Sequence, residues 1–295
     1  MPKIILAAID LDNPGAVLAR AAQLAAEKGS WLVVLNVIDE KSLPTVPDLP
    51  GKTVEGFRGL LEADANTRLT ALVAAADRNR RADIVVEFGS PHEVITRLCR
   101  ERSADLVVLG AGGEPGKSLR EKVLGSTADR VIRTSPVPVL VAKAGVPEPY
   151  QRTVVAIDYS QHSILAAKAA RRFAPESRLQ LVHAIEFPLA FEQSLLRAGT
   201  SQAELDHYRF TRLAEARARL SGFARDELGL GPVETRIIEG APGPAIARLS
   251  KSKRVDLLAL GSHGRGVVLS ALMGSVAQRV LRESVCDVLV ATKRS

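Results

Sequence analysis

The amino-acid sequence carries the same ordered series of blocks twice. The segment Ile5–Asp10 aligns through its last five residues with Val154–Asp158 at an offset of 148, and Gly89–Ile95 aligns with Gly240–Ile246 at 151. Ala104–Gly110 matches Val255–Gly261 at that same offset, and Gly125–Ser135 followed by Val139–Ala142 matches Gly274–Ser284 followed by Val288–Ala291 at 149. Whatever fold one half adopts, the other must adopt as well. The 295 residues therefore divide into two homologous domains, 1–144 and 152–295, joined by the proline-containing stretch 145–151.

Within each half the pattern reads strand, helix, strand, long helix, strand, helix, strand, helix, strand. Uninterrupted apolar runs such as Trp31–Leu35 and Leu106–Leu109 suit parallel strands covered on both faces. Start signals mark several helices. Asp12-Asn13-Pro14 predicts a side-chain cap with proline in the first turn of a helix over 14–28, and Ser90-Pro91 gives the same signal. Ser201 with Glu204 forms a capping box opening a helix to about Leu228. Strands alternating with helices give an α/β class, here two tandem doubly wound domains. Such sheets bind ligands in the crevice beyond the carboxyl ends of their strands, where Asp10, Asp158 and two glycine-rich stretches all fall.

The second glycine-rich stretch, Gly261-Ser262-His263-Gly264-Arg265-Gly266 with Gly274-Ser275-Val276 beyond it, lies between a buried strand and a helical pattern. Glycines permit close backbone approach and positive φ, and a helix amino end favours an anion by roughly 0.3–1 kcal/mol. The expected result is a phosphate cradle. Asp158, acceptor-only when ionised, is placed to meet a ligand donor or to hold the first helix through Ser160. Arg265 offers a planar fork to a phosphate or is solvated; both readings stand. His263 is expected on the loop surface, and His183 as a satisfied core or edge histidine inside a strand.

The spacing Gly261-x2-Gly264-x9-Gly274-Ser275, in a half that opens on Val-Ala-Ile-Asp158 and closes on Cys286-Asp287-Val288-Leu289-Val290, resembles the universal stress protein family in its tandem, two-domain form. The resemblance covers nearly all of both halves, apart from the stretches around 40–55 and 187–200. It implies, for each half, a five-stranded parallel sheet with four helices, of the adenine nucleotide alpha hydrolase-like type. It also implies pairing of the halves as a pseudo-dimer through their last strands, Val137–Val141 and Cys286–Val290. For the second half it implies an ATP site, with or without magnesium. Asp158 would lie by the adenosine, the Ala184 backbone by the adenine, and Gly261, Gly264, Gly274, Ser275 and the Val276 backbone by ribose and phosphates. The first half departs from this pattern. Its loop is two residues longer between Gly113 and Gly125, and Glu114 and Pro115 bring a carboxylate and a lost donor. The second half is thus expected to hold the principal site.

Other chemistries are not encoded. There is no Gly-x4-Gly-Lys-[Ser/Thr] loop, no His-Glu-x2-His or paired Cys-x2-Cys, and no Gly-x-Ser-x-Gly elbow. No catalytic residue or metal ligand is nominated. The first 150 residues balance at 19 basic and 19 acidic side chains, whereas the rest hold 21 and 14, which places the net charge of +7 in the half with the intact loop. Many of those arginines (Arg209, Arg212, Arg217, Arg219, Arg225) lie on one helix, where a solvated face is expected. Without aromatic interleaving, nucleic acid is not an expected partner. Cys99 and Cys286 suit reduced core thiols. With no leader or membrane span in view, a cytoplasmic setting is expected. The apolar segment 187–200 is expected to be a loop that packs on the sheet, folds over nucleotide or meets a protein partner. The function expected is a stress-response sensor or regulatory module that binds ATP. The alternatives are a slow ATP hydrolase on the same fold and a nucleotide-free interaction scaffold. A homodimer of the whole chain stays open.

Overall fold

The computed structural model describes residues 3–40, 54–76, 82–112, 124–143, 148–252, 254–264 and 273–292. The chain divides into two units that meet in sequence between Pro149 and Tyr150.

In the first unit β1 (Ile4–Ala8), α1 (Gly15–Lys28), β2 (Trp31–Ile38), α2 (Val54–Ala76), β3 (Ala82–Phe88), α3 (Pro91–Glu101), β4 (Leu106–Gly110), α4 (Ser126–Thr134) and β5 (Val139–Ala142) follow one another. The strands lie in the order β3-β2-β1-β4-β5, and every pairing is parallel. Val107 and Val108, adjacent in β4 and so facing opposite sides of the sheet, are both fully buried. That is the double covering which the continuous apolar runs foretell.

The second unit repeats the plan with β6 (Arg152–Ala156), α5 (Gln161–Phe173), β7 (Arg178–Ile185), α6 (Leu189–Arg197), α7 (Gln202–Asp226), β8 (Glu234–Glu239), α8 (Pro242–Leu249), β9 (Leu257–Gly261), α9 (Ser275–Glu283) and β10 (Asp287–Ala291). Its sheet runs β8-β7-β6-β9-β10, again all parallel. From β6 the chain steps outward to β7 and β8, then returns to β9 on the other side. The crevice between the ends of β6 and β9 is therefore the topological switch point.

Two expectations need correction. Ser90 at the start of α3 makes no side-chain cap, and α1 likewise starts on Gly15 with Pro14 as its N-cap and no side-chain cap. The carboxylate of Asp10 instead accepts the Asp12 N–H at 3.0 Å, and the Asp10 carbonyl accepts that of Asn13 at 3.1 Å, which closes a turn before the helix begins. The segment 187–200 is not a loop, because α6 occupies 189–197 and gives this unit a fifth helix. Its pattern is inverted. Leu189, Phe191 and Leu196 are exposed, whereas Glu192 is buried with its carboxylate 3.4 Å from the Arg209 guanidinium. On α7 the solvated arginine face is found, with Arg212, Arg217, Arg219 and Arg225 exposed and Arg209 half-buried, and two of these side chains make specific contacts as well. Arg209 also bonds Glu239 and covers the Phe187 ring, and Arg219 lies 4.2 Å over the ring of Tyr159.

Candidate functional site

The turn between β6 and α5 is built by one carboxylate and one hydroxyl. Asp158 Oδ1 accepts the Ser160 N–H at 3.0 Å and the Ser160 O–H at 2.6 Å, and Ser160 Oγ caps α5 by accepting the Ser163 N–H at 3.2 Å. The turn forces Tyr159 into the left-handed region with φ 64°, an uncommon conformation for a side chain of that size. Its ring is held in place by His183 at 4.7 Å, by the edge of Phe223 at 5.2 Å, and by Arg219. The capping role of Asp158 is thus real, but it occupies only Oδ1. The second oxygen, Oδ2, lies 3.0 Å from where a Cβ on Gly264 would be. Asp158 therefore faces both its own turn and the glycine loop.

The loop glycines answer to close approach, not to unusual dihedrals. Gly261, Gly264 and Gly274 are absent from the positive-φ residues. A Cβ on Gly261 would stand 2.5 Å from His162 Cβ and 2.9 Å from its carbonyl carbon, so this glycine lets α5 pack on the end of β9. A Cβ on Gly274 would stand 3.3 Å from the Ser262 carbonyl oxygen and 3.5 Å from His263 Cα. The Gly274 N–H itself donates to that carbonyl at 2.9 Å and clamps the start of α9 beneath the end of β9. It is consumed within the protein. The amides that have no acceptor within the helix are those of Ser275, Val276 and Ala277, since the next one, Gln278, bonds the Gly274 carbonyl. Among the described residues no side chain caps α9, and its first turn contains no acidic residue. An anion there meets donors, with no carboxylate on the first turn of the helix itself.

These elements enclose a cleft of about 280 Å³ within the second unit. Seven of the eight nominated residues line it: Asp158, Ala184, Gly261, Gly264, Gly274, Ser275 and Val276. The eighth, Arg265, lies outside the described residues, as does the two-residue excess of the first unit's loop. The cleft has two chemically different regions. The amino end of α9 supplies amides and the Ser275 hydroxyl, while Ala156, Ile246 and Leu260 make an apolar wall beneath. An apolar wall, a carboxylate oxygen and a bare helix amino end fit the base, ribose and phosphates of a nucleotide in turn.

One histidine differs from the sequence reading and another matches it. His263 is half-buried rather than on the loop surface. Its Nδ1 lies 3.0 Å from Ser262 Oγ, and its ring faces that of His162 at 5.4 Å, which draws it inward. His183 is bonded, as expected of a strand histidine, with Nδ1 2.7 Å from the Ile157 carbonyl oxygen, yet it also lines the cleft. The sequence reading missed Pro242 at the cleft's edge, although the repeated Gly-x-Pro block signalled it. Gly89 and Gly240 take φ of 142° and 120°, conformations that favour glycine, immediately before the first turns of α3 and α8. Among the described residues no group of three or more His, Cys, Asp or Glu is placed to hold a metal ion, and no helix is long and apolar enough to cross a membrane.

Comparison with known proteins agrees with this architecture. The model of the universal stress protein family matches twice, over residues 1–143 and 149–292. A universal stress protein of Mycobacterium tuberculosis is 30% identical over 285 residues, covering 90% of this chain and 89% of the relative. One from Synechocystis is 25% identical over 286 residues, with 91% and 92% covered. Among solved structures, a universal stress protein from Archaeoglobus fulgidus shares the fold with a TM-score of 0.71 at 20% identity, over 99% of this chain and 98% of that one.

Proposed function

This chain belongs to the universal stress protein family, and from that premise we propose that its second unit binds an adenine nucleotide, ATP, as the sensing element of a stress-response regulatory module. The observation that carries the reading is the convergence of Asp158, Gly264 and the amides of Ser275, Val276 and Ala277, which have no acceptor among the described residues, on one cleft at the switch point of the sheet. In this reading the phosphates lie at the amino end of α9. Asp158 Oδ2 accepts from the ribose, and the base rests on the apolar wall near the Ala184 backbone. Magnesium, where it accompanies the nucleotide, would supply charge neutralisation of the phosphates. Readout passes to a protein partner that distinguishes the nucleotide-bound unit from the free one.

The second unit is the principal site. In the first unit Gly112 takes φ 71° and presses on Gly125, where a Cβ would meet Gly125 Cα at 2.8 Å, and Asp10 is exposed. That arrangement supports a weakened site there. Calorimetry is expected to return about one nucleotide per chain; two equal sites would overturn this weighting. The test of binding itself is thermal denaturation with and without Mg-ATP. At a free ligand concentration of about 100 Kd the folded state gains about 2.7 kcal/mol, which raises the melting temperature of a unit this size by about 5–10 °C. Gly264→Val is expected to abolish the shift while the unit stays folded. No shift, together with no nucleotide released from denatured protein, would remove the reading and leave a nucleotide-free scaffold.

A further inference from the structure

We propose that the His183 side chain selects the purine, its Nε2 accepting a hydrogen bond from an amino group at position six of the ring. The inference rests on the reading of the cleft as an adenine-nucleotide site and adds a specificity determinant to it. His183 Nδ1 lies 2.7 Å from the Ile157 carbonyl oxygen. A carbonyl oxygen only accepts, so the hydrogen sits on Nδ1. A neutral imidazole has one N–H, and its other nitrogen then carries a lone pair. No residue among those described hydrogen-bonds Nε2, and it is not one of the buried atoms lacking a partner. The structure thus leaves one acceptor of fixed tautomer on a residue that lines the cleft.

The ring is fixed in orientation as well as in tautomer. Tyr159 packs on it with ring centroids 4.7 Å apart, and Tyr159 is itself gripped between Phe223 and Arg219. A preorganised acceptor discriminates more sharply than a mobile one, because no ordering cost offsets the bond. Its position is also consistent. β7 and β9 flank β6 on opposite sides, so His183 and the amino end of α9 stand at opposite ends of the crevice. A nucleotide with its phosphates on the α9 amides directs its base toward His183. Adenine presents a donor at position six, whereas hypoxanthine and guanine present a carbonyl oxygen there. Two acceptors would then face each other, and the His183 lone pair would lose its water without gaining a partner.

Calorimetry of the full chain with ATP and with inosine triphosphate, which differ in the group at position six and the N1 hydrogen that accompanies it, tests this. The wild-type protein is expected to favour ATP by at least about tenfold, the equivalent of 1.4 kcal/mol. His183→Asn retains a donor for the Ile157 carbonyl and lacks the second nitrogen. It is expected to bring the two affinities within about twofold of each other, mainly by weakening ATP. Should that variant fail to fold, purine riboside triphosphate, with hydrogen at position six, serves on the wild-type protein and is expected to bind about tenfold more weakly than ATP. Equal binding of ATP and inosine triphosphate by the wild type, or of ATP and purine riboside triphosphate, would overturn the role of His183 and leave the nucleotide site standing. Failure of every purine nucleotide to bind would remove the site and this inference together.

Discussion

Gly261 and Gly264 are three residues apart in one loop, yet alanine at each should have opposite consequences. Neither has a left-handed φ, so alanine meets no backbone penalty at either position, and the lower entropy of the unfolded chain would by itself favour it by about 0.4–1 kcal/mol. At Gly261 the new methyl would stand 2.5 Å from His162 Cβ and 2.9 Å from a backbone carbon of α5. Carbon atoms pack best at about 3.5–4.0 Å, so strand and helix must separate by about an ångström. Overpacking of this kind costs about 1–3 kcal/mol, and the melting temperature should fall by about 2–12 °C. At Gly264 the methyl would meet, among the described residues, only Asp158 Oδ2, at 3.0 Å, and that carboxylate can turn aside. Stability should then stay within about 0.5 kcal/mol of the wild type. Nucleotide affinity, by contrast, should drop, because the methyl enters the cradle and displaces the oxygen assigned to the ribose. Gly110→Ala in the first unit is the matched control. Its methyl would stand 3.5 Å from Val17 Cγ2, an ordinary contact, and stability should hold or rise slightly. Urea titrations with and without ATP separate the two effects. If Gly261→Ala proves as stable as wild type, or Gly264→Ala loses as much stability as Gly261→Ala, the division of labour between packing and ligand contact is wrong.

Two further outcomes are expected. Ser201→Ala removes the hydroxyl that accepts the Glu204 N–H at 3.3 Å in the capping box of α7, and should cost about 1 kcal/mol by urea denaturation, with Ser201→Gly costing only a few tenths. Burial pushes the Cys99 thiol up to about 11, so it should resist iodoacetamide at pH 8 in the native chain and react once the chain is unfolded. The sign of the linkage follows: with the folded value raised above the ordinary 9.0, the contribution of this thiol to stability is complete below pH 9 and is lost as the pH climbs toward 11. Rapid alkylation of Cys99 in the native protein would contradict it.

The architecture was legible because it rests on local chemistry repeated twice. Strands covered on both faces must be apolar throughout, and Leu106–Leu109 and Leu257–Leu260 are. The Ser201–Glu204 pair carries its capping chemistry within one turn, and Pro91 opens α3 as expected, so no distant partner was needed to read them; the Ser90 hydroxyl, however, makes no cap and lies 2.9 Å from His92 Nδ1 instead. What failed depends on partners far along the chain. Leu189, Phe191 and Leu196 look like residues to be buried, and Glu192 like one to be exposed; Arg209, reaching from α7, reverses this. Asp12 and Asn13 look like caps, but Asp10 takes their amides first. In the site, the glycine loop could be named from its spacing and the remaining residues, Ala184 among them, from the resemblance to the universal stress protein family, whereas their physical reasons could not. The contact of Gly261 is with His162, that of Gly264 with Asp158, and the tautomer of His183 is set by a carbonyl on the neighbouring strand. No pattern in a linear sequence puts Tyr159, a bulky residue, in the left-handed region.

Equivalence by alignment is therefore not equivalence of cause, and the two hinges make the difference concrete. Each unit closes its loop with the same bond, from Gly125 N–H to the Ala111 carbonyl at 2.8 Å in the first and from Gly274 N–H to the Ser262 carbonyl at 2.9 Å in the second. The residue after the accepting carbonyl is Gly112 in one case and His263 in the other. Gly112 uses a left-handed φ of 71° and lies so close to Gly125 that any Cβ would be 2.8 Å from the Gly125 Cα. His263 needs no such conformation, and its backbone stands off far enough for an imidazole to pack against His162. A side chain at position 112 would meet both the positive φ and the opposing backbone, so the first hinge cannot be converted into the second by one substitution. The shared bond fixes where the last helix begins in both units. What stands around that helix end was settled separately in each, and chemistry read from one unit does not transfer to the other by alignment alone.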